Sequence, residues 1–200
     1  DGVTGETLRN AAALLDVDIH WLYGSEDASY LSCSITAAAL EDALSNMAEK
    51  PVAVYLTSPD YLGNMADIAA LAQVAHRHGV LLAVDNAHGA YLKFLPQSLH
   101  PMDLGADLCC SSAHKTLPVL TGGAYLHISK TAPAAFAENA KQAMALFGST
   151  SPSYLTLLSL DRCNRYLSEG YWASLEETAQ RLEKLREALR SRGLYPPVQE

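Results

Sequence analysis

Three short polar runs in this sequence carry side chains that can do chemistry, and each follows an apolar run. Thr57-Ser58-Pro59 follows Val52–Leu56, Asp85-Asn86-Ala87-His88-Gly89 follows Val80–Val84, and Ser111-Ser112-Ala113-His114-Lys115 follows Asp107–Cys110. Together they hold a carboxylate, two histidines, several hydroxyls and one lysine. Asp85 closes a run of five apolar residues, so its carboxylate is partly desolvated and calls for a cation or several donors. The plainer reading is an aspartate that caps a turn. Lys115 has no acid beside it in sequence. A lysine against apolar walls loses its charge readily and serves as an amine nucleophile or Schiff-base former; the plainer reading is a surface lysine. Gly122-Gly123 permits either a tight turn or a close backbone approach.

Other common mechanisms find no residues here. The sequence lacks Gly-x-Gly-x-x-Gly, a Walker lysine loop, His-Glu-x-x-His and Gly-x-Ser-x-Gly, which argues against dinucleotide, phosphate-loop, zinc-protease and serine-hydrolase chemistry. His76 and His78 lie two apart on an expected helix and point to different faces, a poor metal pair. Cys109-Cys110 falls in an expected buried strand, where packing is the first reading.

The elements that must position these residues alternate. Helical spacing runs from Thr4 to Leu15, and Val17–Leu22 alternates as a strand. Gly24–Ser34 reads as a loop. Thr36 can cap a helix through Leu40, Leu44 and Met47 that stops at Lys50-Pro51. Val52–Leu56 and Val80–Val84 read as strands covered on both faces. Between them a helix starts at Asn64 or Asp67, and this strand–helix–strand unit implies a parallel sheet with a right-handed crossover. Asp107–Cys110 and Tyr125–Ile128 are further strands. Helices are expected at Ala132–Leu146, Tyr154–Leu167 and Ala173–Arg192, the last with a stripe of Leu175, Leu182, Leu185 and Leu189 ended by Gly193. In open parallel sheets ligands bind at the carboxyl ends of the strands, so the three polar runs should converge on one edge.

Composition sets the bounds. The chain has 200 residues, 49% of them hydrophobic and 18% charged, enough apolar content for a large core. A net charge of −8 speaks against a nucleic-acid partner. The apolar runs are too short to span a membrane, no basic-then-apolar leader opens the chain, and the four cysteines lack zinc spacing. A soluble cytoplasmic protein is the expectation. The chain opens at Asp1 without methionine and closes on Pro196-Pro197-Val198-Gln199-Glu200, which reads as a piece of something longer.

At Asp85-Asn86-Ala87-His88-Gly89 and Ser112-Ala113-His114-Lys115-Thr116-Leu117-Pro118 the sequence resembles the major domain of the ornithine/lysine/arginine decarboxylases, pyridoxal-phosphate enzymes of the aspartate-aminotransferase fold. Three further stretches resemble it in order: Thr57-Ser58-Pro59-Asp60-Tyr61-Leu62-Gly63, Thr121-Gly122-Gly123-Ala124-Tyr125-Leu126-His127 and Ser149-Thr150-Ser151-Pro152-Ser153-Tyr154-Leu155. The resemblance implies an α/β fold, a three-layer, mostly parallel sheet with helices on both faces, incomplete and with a helical C-terminal tail. It implies a cofactor-binding major domain over residues 1–168, lacking its N-terminal part, and an amphipathic helical link over 169–200 toward a further domain.

The same resemblance implies pyridoxal 5'-phosphate as cofactor and α-decarboxylation of a small-molecule amino-acid substrate, a basic amino acid (arginine, lysine or ornithine), as the reaction. Lys115 is then the Schiff-base lysine, Asp85 the partner of the pyridine nitrogen, and Ala87 the small side chain under the ring. His88 reaches the ring's phenolic oxygen, and Ser112 and His114 hold the phosphate. Lys115, Asp85 and His88 form the catalytic set. Ser149-Thr150-Ser151 resembles a loop that reaches a neighbouring subunit, implying a homodimer or higher oligomer. The family usually has Glu where Asn86 stands and Thr where Ala113 stands. Two rivals share the fold: another pyridoxal-phosphate enzyme such as an aminotransferase or aldolase, and a non-catalytic dimerising homologue.

Overall fold

The computed structural model describes residues 6–24, 35–148 and 151–194. Four strands, β1 (Ala53–Thr57), β2 (Leu81–Asp85), β3 (Leu108–Ser111) and β4 (Tyr125–Ile128), form one sheet in the order β1-β2-β3-β4. β1, β2 and β3 are parallel, with Thr57 opposite Asp85 and Asp85 opposite Cys110, while β4 runs antiparallel to β3. The architecture is α/β with a mostly parallel sheet, as the alternation of elements implies.

Seven helices accompany the sheet among the described residues: α1 (Glu6–Leu14), α2 (Ala37–Asn46), α3 (Ile68–Arg77), α4 (Ala113–Thr116), α5 (Ala134–Phe147), α6 (Tyr154–Glu169) and α7 (Tyr171–Arg190). The expected caps are in place. Thr36 accepts from the Ala39 amide at 3.1 Å, and Asp67, not Asn64, caps α3 by accepting from the Ala70 amide at 3.0 Å.

α3 forms the crossover between β1 and β2, and its periodic Ile68, Leu71, Ala72 and Ala75 are buried with Leu40 and Leu44 of α2 and with Leu82 and Val84 of β2. Fully burying a leucine contributes on the order of 1.5–3 kcal/mol, so this cluster anchors the parallel strands. Alternate residues of β1 and β2 (Tyr55, Thr57, Ala83, Asp85) are only half-buried and turn to the opposite face, as strand geometry requires. A second cluster joins Ala113, Leu117, Cys163 and Tyr171, with Leu160, Leu167 and Leu175 against it, and ties α4 to α6 and α7.

Val17–Leu22 departs from expectation: it forms no ladder among the described residues. Alternation gives a segment one apolar side, but a strand also needs a neighbouring backbone to pair with. The segment instead lines a cavity of about 300 Å³ beside β1. The leucine stripe of α7 is half used, since Leu175 packs on the second cluster while Leu182 and Leu185 are exposed. Gly24 is described outside any helix or strand; the rest of the expected loop to Ser34, and Ser149-Thr150, lie outside the described residues. No helix among the described residues is long and apolar enough to cross a membrane.

Candidate active site

Because β1, β2 and β3 are parallel, their carboxyl ends share one edge, and all three polar runs start there. The loop after β1 is organised by Asp60. Its Oδ1 accepts from the Leu62 and Asn64 amides at 2.8 and 2.9 Å, and its Oδ2 from Asn64 Nδ2 at 2.8 Å. Burial raises the proton affinity of this carboxyl, but the donors on Asn64, Leu62 and Gly63 outweigh it and hold Asp60 below the usual carboxylate range. The Ser58 amide donates to the Asp85 carbonyl at 3.0 Å, which ties this loop to the next. Tyr61 projects from it, 80% exposed, with its ring 4.9 Å from that of His88.

The loop after β2 carries Asp85, whose Oδ1 accepts from the Ala87 amide at 3.0 Å and whose Oδ2 accepts from the Tyr55 hydroxyl at 3.1 Å. Asn86 turns the other way. It is fully buried and its Nδ2 donates to Ser111 Oγ at 3.1 Å. His100 closes this inner network: its Nδ1 accepts from the Met102 amide, so Nε2 carries the proton and faces Ser111 Oγ at 3.4 Å. Burial, with the nearby His127, pushes the His100 imidazole down to about 4, so it acts here as a neutral donor.

Gly89 ends the turn because nothing larger fits. A Cβ there would lie 2.0 Å from Asn86 Oδ1 and 2.7 Å from Pro59 Cδ. Gly89→Ala is therefore expected to lower the unfolding free energy by about 1–3 kcal/mol in denaturant melts. A change within about 0.5 kcal/mol would show that the turn yields freely.

The loop after β3 passes through α4. Ser112 occupies its N-cap position without spending its hydroxyl on a capping bond. His114 donates from Nδ1 to the Gly123 carbonyl at 2.9 Å, which leaves Nε2 for another partner. Gly123 is a close approach, since a Cβ would meet Val119 Cγ1 at 2.3 Å, while Gly122 has the positive φ of +96° that a turn here requires. Lys115 Nζ lies 3.3 Å from His88 Nε2 and 5.8 Å from the Tyr61 ring centroid. Lys115 is exposed, not walled by apolar groups as its position after a strand suggests, because α4 sits at the rim of the sheet.

The structure thus gathers Asp85, Ala87, His88, Ser112, His114 and Lys115 into the loops at one edge and brings Lys115 onto His88. It does not bring Asn86 to the open side. Among the described residues the buried side-chain atoms without a hydrogen-bond partner are Thr57 Oγ1, Asn86 Oδ1, His88 Nδ1 and Thr116 Oγ1, all in these same loops. An unpaired buried polar group costs about 1–3 kcal/mol. Two cavities border these loops: the one beside β1, which Tyr55 and Thr57 also line, and another of about 420 Å³ lined by His100, Ser111, Tyr125 and His127. Neither is lined by Asp85, His88 or Lys115, which stand on the open rim.

Sequence reasoning missed two tyrosines. Tyr55 shares its strand face with Thr57, but its bond to Asp85 depends on the β1–β2 register, which one sequence does not print. Tyr61 lies within a run already singled out, where nothing marked its ring as the neighbour of Lys115.

Comparison with known proteins adds an independent observation. The family described as Orn/Lys/Arg decarboxylase, major domain, matches residues 15–196. The uncharacterized protein YaaO of Bacillus subtilis (strain 168) is 34% identical over 138 residues, covering 68% of this chain and 28% of that protein. An arginine decarboxylase of Bacillus cereus is 30% identical over 174 residues, covering 85% of this chain and 37% of that protein. The chain therefore spans about a third of the length of these curated relatives. Among solved structures, the SepCysS–SepCysE N-terminal domain complex contains a chain that superposes with a TM-score of 0.68 at 14% identity, covering 98% of this chain and 54% of that one. That likeness shows the fold.

Proposed function

The chain belongs to the Orn/Lys/Arg decarboxylase family through its major domain, and from that premise we propose that it is the cofactor-binding part of a pyridoxal-phosphate-dependent amino-acid decarboxylase. The substrate we assign is a basic amino acid, arginine first, because relatives at about 30% identity carry that name. The observation that carries the reading is the pairing of Lys115 Nζ with His88 Nε2 at 3.3 Å on the edge that also holds Asp85.

The residues present fit the cofactor. An exposed amine, a half-buried carboxylate and two imidazoles with a free nitrogen stand on one rim. Lys115 would bond the cofactor aldehyde, Asp85 would face the pyridine nitrogen, and Ala87 would offer a small surface to the ring. Ser112, with its hydroxyl unspent on the helix cap, and His114, through Nε2, hold the phosphate.

Pyridoxal phosphate, when bound, supplies a protonated ring that accepts the electron pair left as carbon dioxide departs. The protein's part is to hold and move protons around that event. His88 Nε2 accepts a proton from Lys115, which frees the amine to react; Nδ1 then carries the other imidazole proton. Asp85 would keep a proton on the ring nitrogen, so that the ring stays an acceptor as the electron pair arrives, which is how a binding contact becomes a rate effect. Lys115 or His88 returns a proton to the α-carbon. Assembly as at least a homodimer belongs to the same reading and would cover Tyr154, Leu155 and Trp172, which are 86%, 68% and 61% exposed.

Product analysis tests the reaction. The protein as the cell makes it, given pyridoxal phosphate and arginine, lysine or ornithine, is expected to release carbon dioxide in step with an amine and to form no keto acid. Keto acid without carbon dioxide would assign the chain to the aminotransferases. Bound cofactor with neither product would make it a non-catalytic homologue.

A further inference from the structure

Asp85 is held from two sides. Its Oδ1 takes the Ala87 amide from its own loop, and its Oδ2 takes the Tyr55 hydroxyl from the neighbouring strand. Tyr55 stands opposite Ala83 in the ladder, so its phenol reaches two residues along β2 to the strand's end, a diagonal pair on one sheet face. β1 and β2 are already joined over five paired positions and locked on the other face by α3. The register therefore does not need this side-chain bond. What the bond does fix is the plane of a carboxylate that stands half-buried on the less covered face of the sheet.

Burial, and then the charge of Asp85, push the Tyr55 phenol well above its ordinary value. The hydroxyl keeps its proton throughout the physiological range and acts as a donor only. A donor that never ionises gives the carboxylate a constant partner, whichever charge appears beyond it.

We propose that Tyr55 is a positioning residue for Asp85: its hydroxyl, donated across β1 and β2 to Oδ2, sets the carboxylate plane that meets the pyridine nitrogen of the cofactor. This rests on the reading of Asp85 given above.

The test is a double-mutant cycle of Tyr55→Phe and Asp85→Asn in the protein as the cell makes it. Three quantities are read: the dissociation constant for pyridoxal phosphate by absorbance titration, kcat and KM for arginine, and the melting temperature of the cofactor-free protein. Removing a hydrogen bond to a charged group is worth about a factor of 10. Tyr55→Phe is expected to weaken cofactor binding and lower kcat by about that factor, with KM changed less than about twofold and melting lowered by no more than about 6 °C. In the Asp85→Asn background the same change should do almost nothing further. Unchanged affinity and kcat in Tyr55→Phe would overturn the proposal, as would equal losses in both backgrounds or a large melting drop, each of which assigns Tyr55 to the fold. Should Asp85→Asn alone turn over normally, the role of Asp85 falls first, and this inference falls with it.

Discussion

Lys115→Ala is expected to remove activity almost completely, by about 10⁴-fold or more, and to abolish the covalent bond to pyridoxal phosphate. The size follows from what is lost. In the proposed reaction Lys115 supplies the amine, and Lys50, Lys93 and Lys130 stand elsewhere. Lys50 precedes β1, at the opposite edge of the sheet, and donates to the carbonyls of Leu44 and Met47. Lys93 is paired with Asp103 at 2.6 Å. Lys130 follows β4, whose antiparallel course carries it away from the rim. Kinetics with arginine and a visible absorbance spectrum check the prediction, with Lys93→Ala as the control expected to keep both. Lys115→Ala that retains turnover within about tenfold of the parent would remove this lysine from its role.

Asp85→Asn should separate binding from catalysis. The amide keeps the size of the carboxylate but has one acceptor oxygen in place of two, so it can keep the Ala87 amide and loses the Tyr55 hydroxyl, and cofactor affinity should fall about tenfold. Turnover should fall about 100- to 1000-fold, because an amide cannot keep a proton on the ring nitrogen, and an unprotonated ring is a poorer acceptor for the departing electron pair. The effect should appear in kcat, with KM little moved, the signature of an interaction that strengthens in the transition state. Equal losses in binding and turnover would instead mark Asp85 as a residue that builds the turn. That alternative has a physical basis, since Oδ1 already accepts from the Ala87 amide like any turn aspartate.

The sheet was legible because its strands are short, apolar and punctuated. Val80–Val84 runs into Asp85, and α3 sits between two strands with its apolar residues at helical spacing, so a parallel pair follows from chain geometry. The edge that holds the site follows from that pairing alone. Val17–Leu22 was misread because alternation reports which side is apolar and says nothing of whether a second backbone lies alongside. Lys115 follows β3 and is exposed, as the surface-lysine reading has it: being next to a strand in sequence does not put apolar walls around a side chain four residues on.

Asn86 carries a similar lesson. It stands where the family usually has Glu. Strand alternation sends residue 86 away from the face that holds Asp85, into a neutral network with Ser111 and His100. The amide suits that setting, because an ionised carboxylate at a fully buried position would need a charged partner that Ser111 and a neutral His100 do not supply. Ala113 is equally buried, within the cluster that joins α4 to α6 and α7. Neither position faces the rim, so neither departure removes a group from it. The tyrosines were illegible for a different reason: each acts on a residue distant in sequence, through a register or a ring contact that only the folded chain defines.

The central claim is that Lys115 is the residue that bonds the cofactor. Its most direct test is borohydride reduction of the protein loaded with pyridoxal phosphate, followed by proteolysis and mass mapping of the modified peptide. The account predicts one stoichiometric label, on Lys115 in the peptide containing Ser112-Ala113-His114-Lys115-Thr116. A stoichiometric label on any other lysine, with Lys115 unmodified, would contradict it.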